Sequence, residues 1–179
     1  MDPYKPNYMV VPGDNKGMRS DALRDVLSQS GEKSKPKFLY INPTGANPTG
    51  TMVPESRRRE IYDLASQHDM LILEDDPYYF LQFASGDSRP RSFLSMDTEG
   101  RVLRFDSFSK VLSSGLRLGF VTGPSPLIER INLHMQVHFI RLFCKSAQLL
   151  CKLKKVQIWS QNATSCSYAT VIGQNNFYH

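Results

Sequence analysis

Cysteine, tryptophan and, late in the chain, acid are scarce in this sequence of 179 residues. The three cysteines, Cys144, Cys151 and Cys166, are an odd number without metal-like spacing. They do not suggest a disulfide framework or a cysteine-held metal, and a reducing, intracellular setting is the plain reading. No run of 18 apolar residues occurs, so no membrane span and no membrane partner is expected. The opening MDPYKPNYMV lacks the charged-then-apolar order of a secretory leader. The cytoplasm is the expected location, with the mitochondrion as the alternative if a targeting segment precedes residue 1. Acid stops at Glu129: residues 1–129 hold 16 Lys and Arg and all 17 Asp and Glu, net −1, whereas residues 130–179 hold six basic residues, net +6. The overall charge of +5 therefore belongs to the tail, and the body lacks the basic stripe of a nucleic-acid binder. With 40% hydrophobic and 22% charged residues, disorder as the main state is excluded, and the length suits one domain.

What remains is an α/β pattern. Residues 1–19, rich in Pro, Gly, Asn and Asp, read as loop. Ser20 can cap a short helix with Leu23, Val26 and Leu27 on one face. After the polar connector 30–37, the run 38–41 (FLYI) predicts a buried strand, and 43–50 a Gly/Pro/Asn/Thr loop. Pro54 suits the first turn of a helix reaching about Asp69, with Ile61, Leu64 and Ala65 inward and Arg57, Arg58, Arg59 and Glu60 mostly outward. Further strands are expected at 70–73, 102–105 and 116–121, a loop at 84–100 and a helix at 125–137. The acid-free segment 138–179, with the only tryptophan (Trp159), permits helical spacing over 139–158 and shows no period at its end. It is expected to be an irregular or helical, poorly ordered tail. The glycosylation pattern at 162–164 is read as chance.

Alternating strands and helices predict a mostly parallel sheet flanked by helices, and such sheets bind ligands at the carboxyl ends of their strands. Three polar clusters, at 42–50, 75–79 and 106–110, each follow a strand. Lys110, partly desolvated there, can form a Schiff base with a carbonyl. Asp76 can pair with a pyridinium nitrogen, and Tyr79 with a nearby ring oxygen. Asn47 lies in a loop whose glycines permit close approach to a ligand. Ser107, Ser109 and Arg117 suit a phosphate. Each element alone has an ordinary reading: a surface lysine, a turn aspartate, an Asn-Pro turn. Ser107-x-x-Lys110 also matches a serine acyl-enzyme motif, but its Ser-Asp-Asn and Lys-Thr-Gly companions are missing.

Asn-Pro-Thr-Gly at 47–50, Asp76-x-x-Tyr79, Ser-x-Ser-Lys at 107–110 and Arg117 within Gly-Leu-Arg-Leu-Gly together resemble the fold-type I (class I/II) aminotransferases that use pyridoxal 5′-phosphate. The wording of 74–83 and 106–110 is most similar to the kynurenine/α-aminoadipate aminotransferase group. The resemblance covers roughly 15–137. It implies that Lys110 bonds the cofactor and then carries the proton at the substrate carbon. It implies further that Asp76 stays ionised against the ring nitrogen, that Asn47 and Tyr79 hold the ring oxygen, and that Ser107, Ser109 and Arg117 anchor the phosphate. The implied layout is part of a large domain over 1–137 and a divergent basic tail over 138–179. The family's upstream phosphate loop, its stacking aromatic and its C-terminal small domain have no counterpart, so a fragment truncated at both ends is expected. The implied reaction moves an amino group from kynurenine, 2-aminoadipate or glutamate to a 2-oxo acid, and the family is homodimeric. The alternative is a non-catalytic product that binds the cofactor weakly or pairs with a full-length subunit. A third reading, the aminotransferase-like effector domain of a bacterial transcription regulator, needs a helix-turn-helix region that 1–35 does not show.

Overall fold

The computed structural model describes residues 6–31, 35–82, 89–116, 118–139 and 168–173. A two-residue hairpin, β1 (Gly13–Asp14) with β2 (Gly17–Met18), leads into α1 (Ser20–Gln29). Arg19, not Ser20, is the N-cap of α1; the Ser20 hydroxyl instead donates to the Glu60 carboxylate and ties α1 to α2. The chain continues through β3 (Phe38–Ile41), α2 (Glu55–Gln67), β4 (Leu71–Asp75), the short α3 (Phe93–Met96), β5 (Val102–Ser107), β6 (Leu118–Gly123), α4 (Ser125–Phe139) and β7 (Tyr168–Gly173). Pro54 precedes α2 as its N-cap, and the helix stops at Gln67, with Asp69 at φ 50° turning the chain into β4.

Five strands form one sheet in the order β3-β4-β5-β6-β7. The α/β class holds, but the parallel character expected of most of the sheet is confined to β3, β4 and β5; β6 and β7 are each antiparallel to their neighbour, so the sheet is mixed. The tail contributes β7, a strand where the sequence shows no period. The helical spacing read over 139–158, beyond its first residue, the pattern at 162–164, all three cysteines and Arg117 lie outside the described residues.

Successive residues of a strand point to opposite faces, so a strand covered on both sides reads as a continuous apolar run. β5 shows this directly. Val102 joins Leu23, Leu27, Ile41, Ile61, Ala65 and Ile72 in a core under α1 and α2, while Leu103 joins Val121 and Ile128 in a second core under α4. β3 is covered on one face only. Leu39 and Ile41 are buried, but Phe38 and Tyr40 are 56% and 58% exposed, so the expected buried strand is a half-buried edge strand. The β5–β6 pair is close at two glycines: a Cβ on Gly119 would sit 2.6 Å from the Asp106 carbonyl oxygen, and one on Gly123 would sit 2.6 Å from Leu103 Cδ2.

Candidate active site

Because β3, β4 and β5 are parallel, their carboxyl ends share one edge, and the three polar clusters gather there. β6 runs the other way, pairing Gly119 with Ser107, and so begins at the same edge. The segment after β3 folds back on itself: Val53 N–H donates to Pro43 O at 2.9 Å and Ala46 N–H to Thr51 O at 3.0 Å. Gly45, at φ +59°, brings its backbone against Tyr78, where a Cβ would lie 3.5 Å from Tyr78 Cβ. Asn47 is exposed in the turn beyond it.

Arg58 holds this loop from inside α2. It is wholly buried rather than outward, and donates to Val53 O at 2.9 Å, Arg91 O at 3.1 Å, Pro43 O at 3.2 Å and Thr44 Oγ1 at 3.1 Å. Burial lowers its pKa, the Asp76 and Glu74 charges opposing. Arg59 behaves as expected of a solvated face, pairing with Glu55, whereas Arg57 is half-buried and pairs with Asp14.

β4 ends in three acids with three fates. Glu74, wholly buried, accepts from the backbone N–H groups of Phe93 at 2.9 Å and Leu94 at 3.0 Å; burial raises its pKa against the pull of Arg104 and these two bonds. Asp75 accepts from the Tyr40 hydroxyl at 2.5 Å, and partial burial together with that bond pushes the phenol up to about 12. Asp76 is wholly buried. Its Oδ2 accepts from Thr44 Oγ1 at 3.2 Å and Arg104 Nη1 at 3.3 Å; its Oδ1 is buried with no hydrogen-bond partner among the described residues. Burial pushes the carboxyl up to about 6, Arg104 opposing and Glu74 adding to the rise. The nearby cation therefore does not hold Asp76 in the ordinary carboxylate range, although at pH 7 the ionised form still prevails.

Arg104 stands at the centre of the edge. It pairs with both oxygens of Asp106, Nε and Nη2 each at 2.9 Å, and its Nη1 lies 3.4 Å from Glu74 Oε1 as well as 3.3 Å from Asp76. Its guanidinium carbon is 4.5 Å from the centroid of the half-buried Tyr79 ring, a cation–π distance. Burial pulls the Arg104 pKa down, but the Asp106 bonds and the Glu74 and Asp76 charges outweigh it and raise it. β5 then turns sharply: Ser109 N–H donates to Ser107 Oγ at 3.2 Å and Phe108 N–H to Leu118 O at 3.0 Å. Lys110 follows, exposed rather than desolvated, with Nζ 5.7 Å from the Tyr78 ring centroid.

Of the residues singled out in the sequence, Asp76 and Tyr79 meet through Arg104, Ser107 and Ser109 share one turn, and Lys110 stands over Tyr78. Asn47 stands apart at the loop's tip. Thr44, Arg58, Glu74, Arg104 and Asp106 were missed. Two of them carried a signal: Arg58 lies at helical spacing from Ile61 and Ala65, and Arg104 interrupts the apolar run of a strand.

Residues 5–159 match the sequence profile of the family described as aminotransferase class I and II. The mitochondrial kynurenine/alpha-aminoadipate aminotransferase of Bos taurus is 53% identical over 146 residues, 76% of this chain and 33% of that protein. Its Rattus norvegicus counterpart is 50% identical over 159 residues, 84% of this chain and 36% of that protein. Among solved structures, the Pyrococcus horikoshii kynurenine aminotransferase in complex with PMP superposes with TM-score 0.72 at 33% identity, over 76% of this chain and 33% of that one. LysN, the alpha-aminoadipate aminotransferase of Thermus thermophilus, complexed with N-(5'-phosphopyridoxyl)-L-leucine, gives 0.73 at 30% identity, over 83% and 37%. The chain spans about a third of the length of the curated relatives it matches. A profile match over most of its residues, and relatives identical at half of the aligned positions, leave one assignment: this chain belongs to the class I and II aminotransferases.

Proposed function

We propose that this chain is the cofactor-binding part of a pyridoxal 5′-phosphate-dependent aminotransferase that passes an amino group from a kynurenine- or 2-aminoadipate-like amino acid to a 2-oxo acid. The observation that carries the reading is Asp76 Oδ1. A buried acceptor without a donor costs on the order of 1–3 kcal/mol, more when charged. Oδ2 of the same carboxylate has two donors, so the unmet demand is confined to one oxygen at the shared strand edge. A protonated ring nitrogen is the donor that fits it. The relatives point the same way, since two of the structural neighbours are complexes with PMP and with a phosphopyridoxyl amino acid.

Pyridoxal 5′-phosphate, when bound, supplies a conjugated ring that accepts the electron pair left as the substrate Cα loses its proton. Asp76 keeps the ring nitrogen protonated through Oδ1. Lys110, exposed in the turn after β5, binds the cofactor through its ε-amine and then moves the proton at the substrate Cα. Tyr79 would hold the ring oxygen, and Asn47 would reach the same oxygen from the exposed tip of the loop after β3. Ser107, Ser109 and Arg117 hold the phosphate, for which hydroxyls and a two-pronged guanidinium are suited donors.

Borohydride reduction of the full chain after addition of pyridoxal 5′-phosphate, followed by peptide mass spectrometry, tests this. A pyridoxyl group is expected on Lys110 ahead of the other lysines and is lost in Lys110→Ala. Labelling spread without preference over surface lysines, or no labelling, overturns the proposal. Spectral turnover of the bound cofactor by kynurenine against 2-aminoadipate then reads the amino donor.

A further inference from the structure

We infer that Arg104 is a positioning residue: its guanidinium, locked by Asp106, holds Asp76 and Tyr79 in the placement that meets the cofactor ring. The inference rests on the reading of Asp76 as the partner of the ring nitrogen.

The donors of Arg104 are divided so that each has one task. Nε and Nη2 are taken by Asp106 in a two-point pair at 2.9 Å each, which fixes the plane and direction of the group. Nη1 is left over, and it reaches Asp76 Oδ2 at 3.3 Å. Glu74, the other carboxylate near Nη1, already accepts from Phe93 and Leu94 N–H, so its demand on Arg104 is the weaker one. With Thr44 as second donor, Oδ2 is satisfied and the carboxylate can turn only Oδ1 to a ligand. One face of the same guanidinium lies against the Tyr79 ring, so the two ring-holding side chains share one support. A lysine at this position would return the charge but not the plane, because an ammonium is a point charge without the rigid fork.

The groups that face Asp76 are Glu74 from its own strand, Arg58 from α2, Thr44 from the loop after β3 and Arg104 from β5. Of the two cations, Arg104 is the one bonded to it. Its removal is therefore read in Asp76 itself, with or without cofactor.

The test uses the full chain with selectively 13C-labelled aspartate and pyridoxal 5′-phosphate as probe. In Arg104→Met the Asp76 carboxyl midpoint is expected to rise by at least about one pH unit, the order expected when a cation beside a carboxylate is lost. Cofactor affinity at pH 7 should fall at least tenfold. Arg104→Lys should bring the midpoint back toward the native one while affinity stays low. If Arg104→Met does not fold, Asp106→Asn frees Nε and Nη2 without removing the cation; weakened cofactor binding in a folded chain is then expected, and native affinity overturns the inference. An unmoved midpoint in folded Arg104→Met, or affinity that merely tracks melting temperature in every variant, also overturns it. Failure of the native chain to label at Lys110 would sink the proposed function instead, while the carboxyl titration without cofactor still decides the role of Arg104.

Discussion

Asp76 is kept in a state that the fold resists. Burial raises its carboxyl to about 6 from an ordinary 3.8, so at neutral pH the folded chain carries a charge it would stabilise better as the acid. Asp76→Asn removes the charge yet can keep an oxygen toward Thr44 and Arg104. In the chain without cofactor it should therefore stabilise at pH 7 by on the order of 1–3 kcal/mol in urea unfolding, and weaken pyridoxal 5′-phosphate binding at least tenfold. Destabilisation together with unchanged binding would refute both the burial argument and the site. Arg58 is the opposite case, a charge used to satisfy backbone. Arg58→Met takes the guanidinium donor from Val53 O and Arg91 O and removes one of two partners from Pro43 O and from the Thr44 hydroxyl, and should cost about 2–4 kcal/mol in the same measurement. The sequence marks Asp76, Tyr79, Ser107 and Lys110 because side-chain chemistry and strand-end placement are visible in one dimension. It hides Thr44 and Arg58, because which hydroxyl or guanidinium meets which carbonyl depends on how a loop folds back across a helix, and no local pattern encodes that.

At the scale of elements, periodicity carried the reading where burial is one-sided or two-sided along a whole run. α1, α2, β4, β5 and β6 fall close to their expected places because each packs an apolar stripe or a two-faced apolar run. β3 was misread as buried because FLYI is apolar throughout, yet only alternate residues meet a helix. β7 was missed because its residues show no period of their own; its strand character comes from pairing with β6, a long-range event. The β5–β6 pair bears directly on the proposed site, since its close approach at Gly119 lies beside the turn that carries Ser107, Ser109 and Lys110. Gly119→Ala would drive a methyl into the Asp106 carbonyl oxygen, backbone that cannot swing aside. The expected result is a loss of about 1–3 kcal/mol and a lower yield of pyridoxyl-Lys110 even where the chain remains folded by circular dichroism. Native yield would show that the turn does not depend on the register of that pair.

At the scale of the molecule, six carboxylates among the described residues are displaced from their ordinary range, and they fall into two classes that answer pH in opposite senses. Asp14 and Asp21, exposed and bonded to Arg57 and Arg19, are lowered to about 2, and Glu55 and Glu99 are lowered by Arg59 and by Ser66 with Arg101. What they contribute is present above the ordinary carboxylate range and is lost as pH falls toward about 2. Asp76 and Glu74 are raised by burial, so their contribution is complete below their ordinary values and is lost for Asp76 as pH rises through about 6. The chain without cofactor should therefore be most stable near pH 4, lose stability mainly between about pH 4 and pH 6, and be lower by on the order of 1–3 kcal/mol at pH 7.5. On the proposed reading, in which the ionised Asp76 holds the ring nitrogen, pyridoxal 5′-phosphate should reverse the slope, because bound ligand stabilises in proportion to RT ln(1 + [L]/Kd). The gain in Tm on adding cofactor should then grow from pH 5 to pH 7.5, while stability without cofactor completes its decline. Differential scanning fluorimetry across that interval, with and without cofactor, reads both trends. Asp76→Asn should flatten both together, since one carboxylate drives them; a cofactor gain that stays constant with pH would remove Asp76 from the binding event.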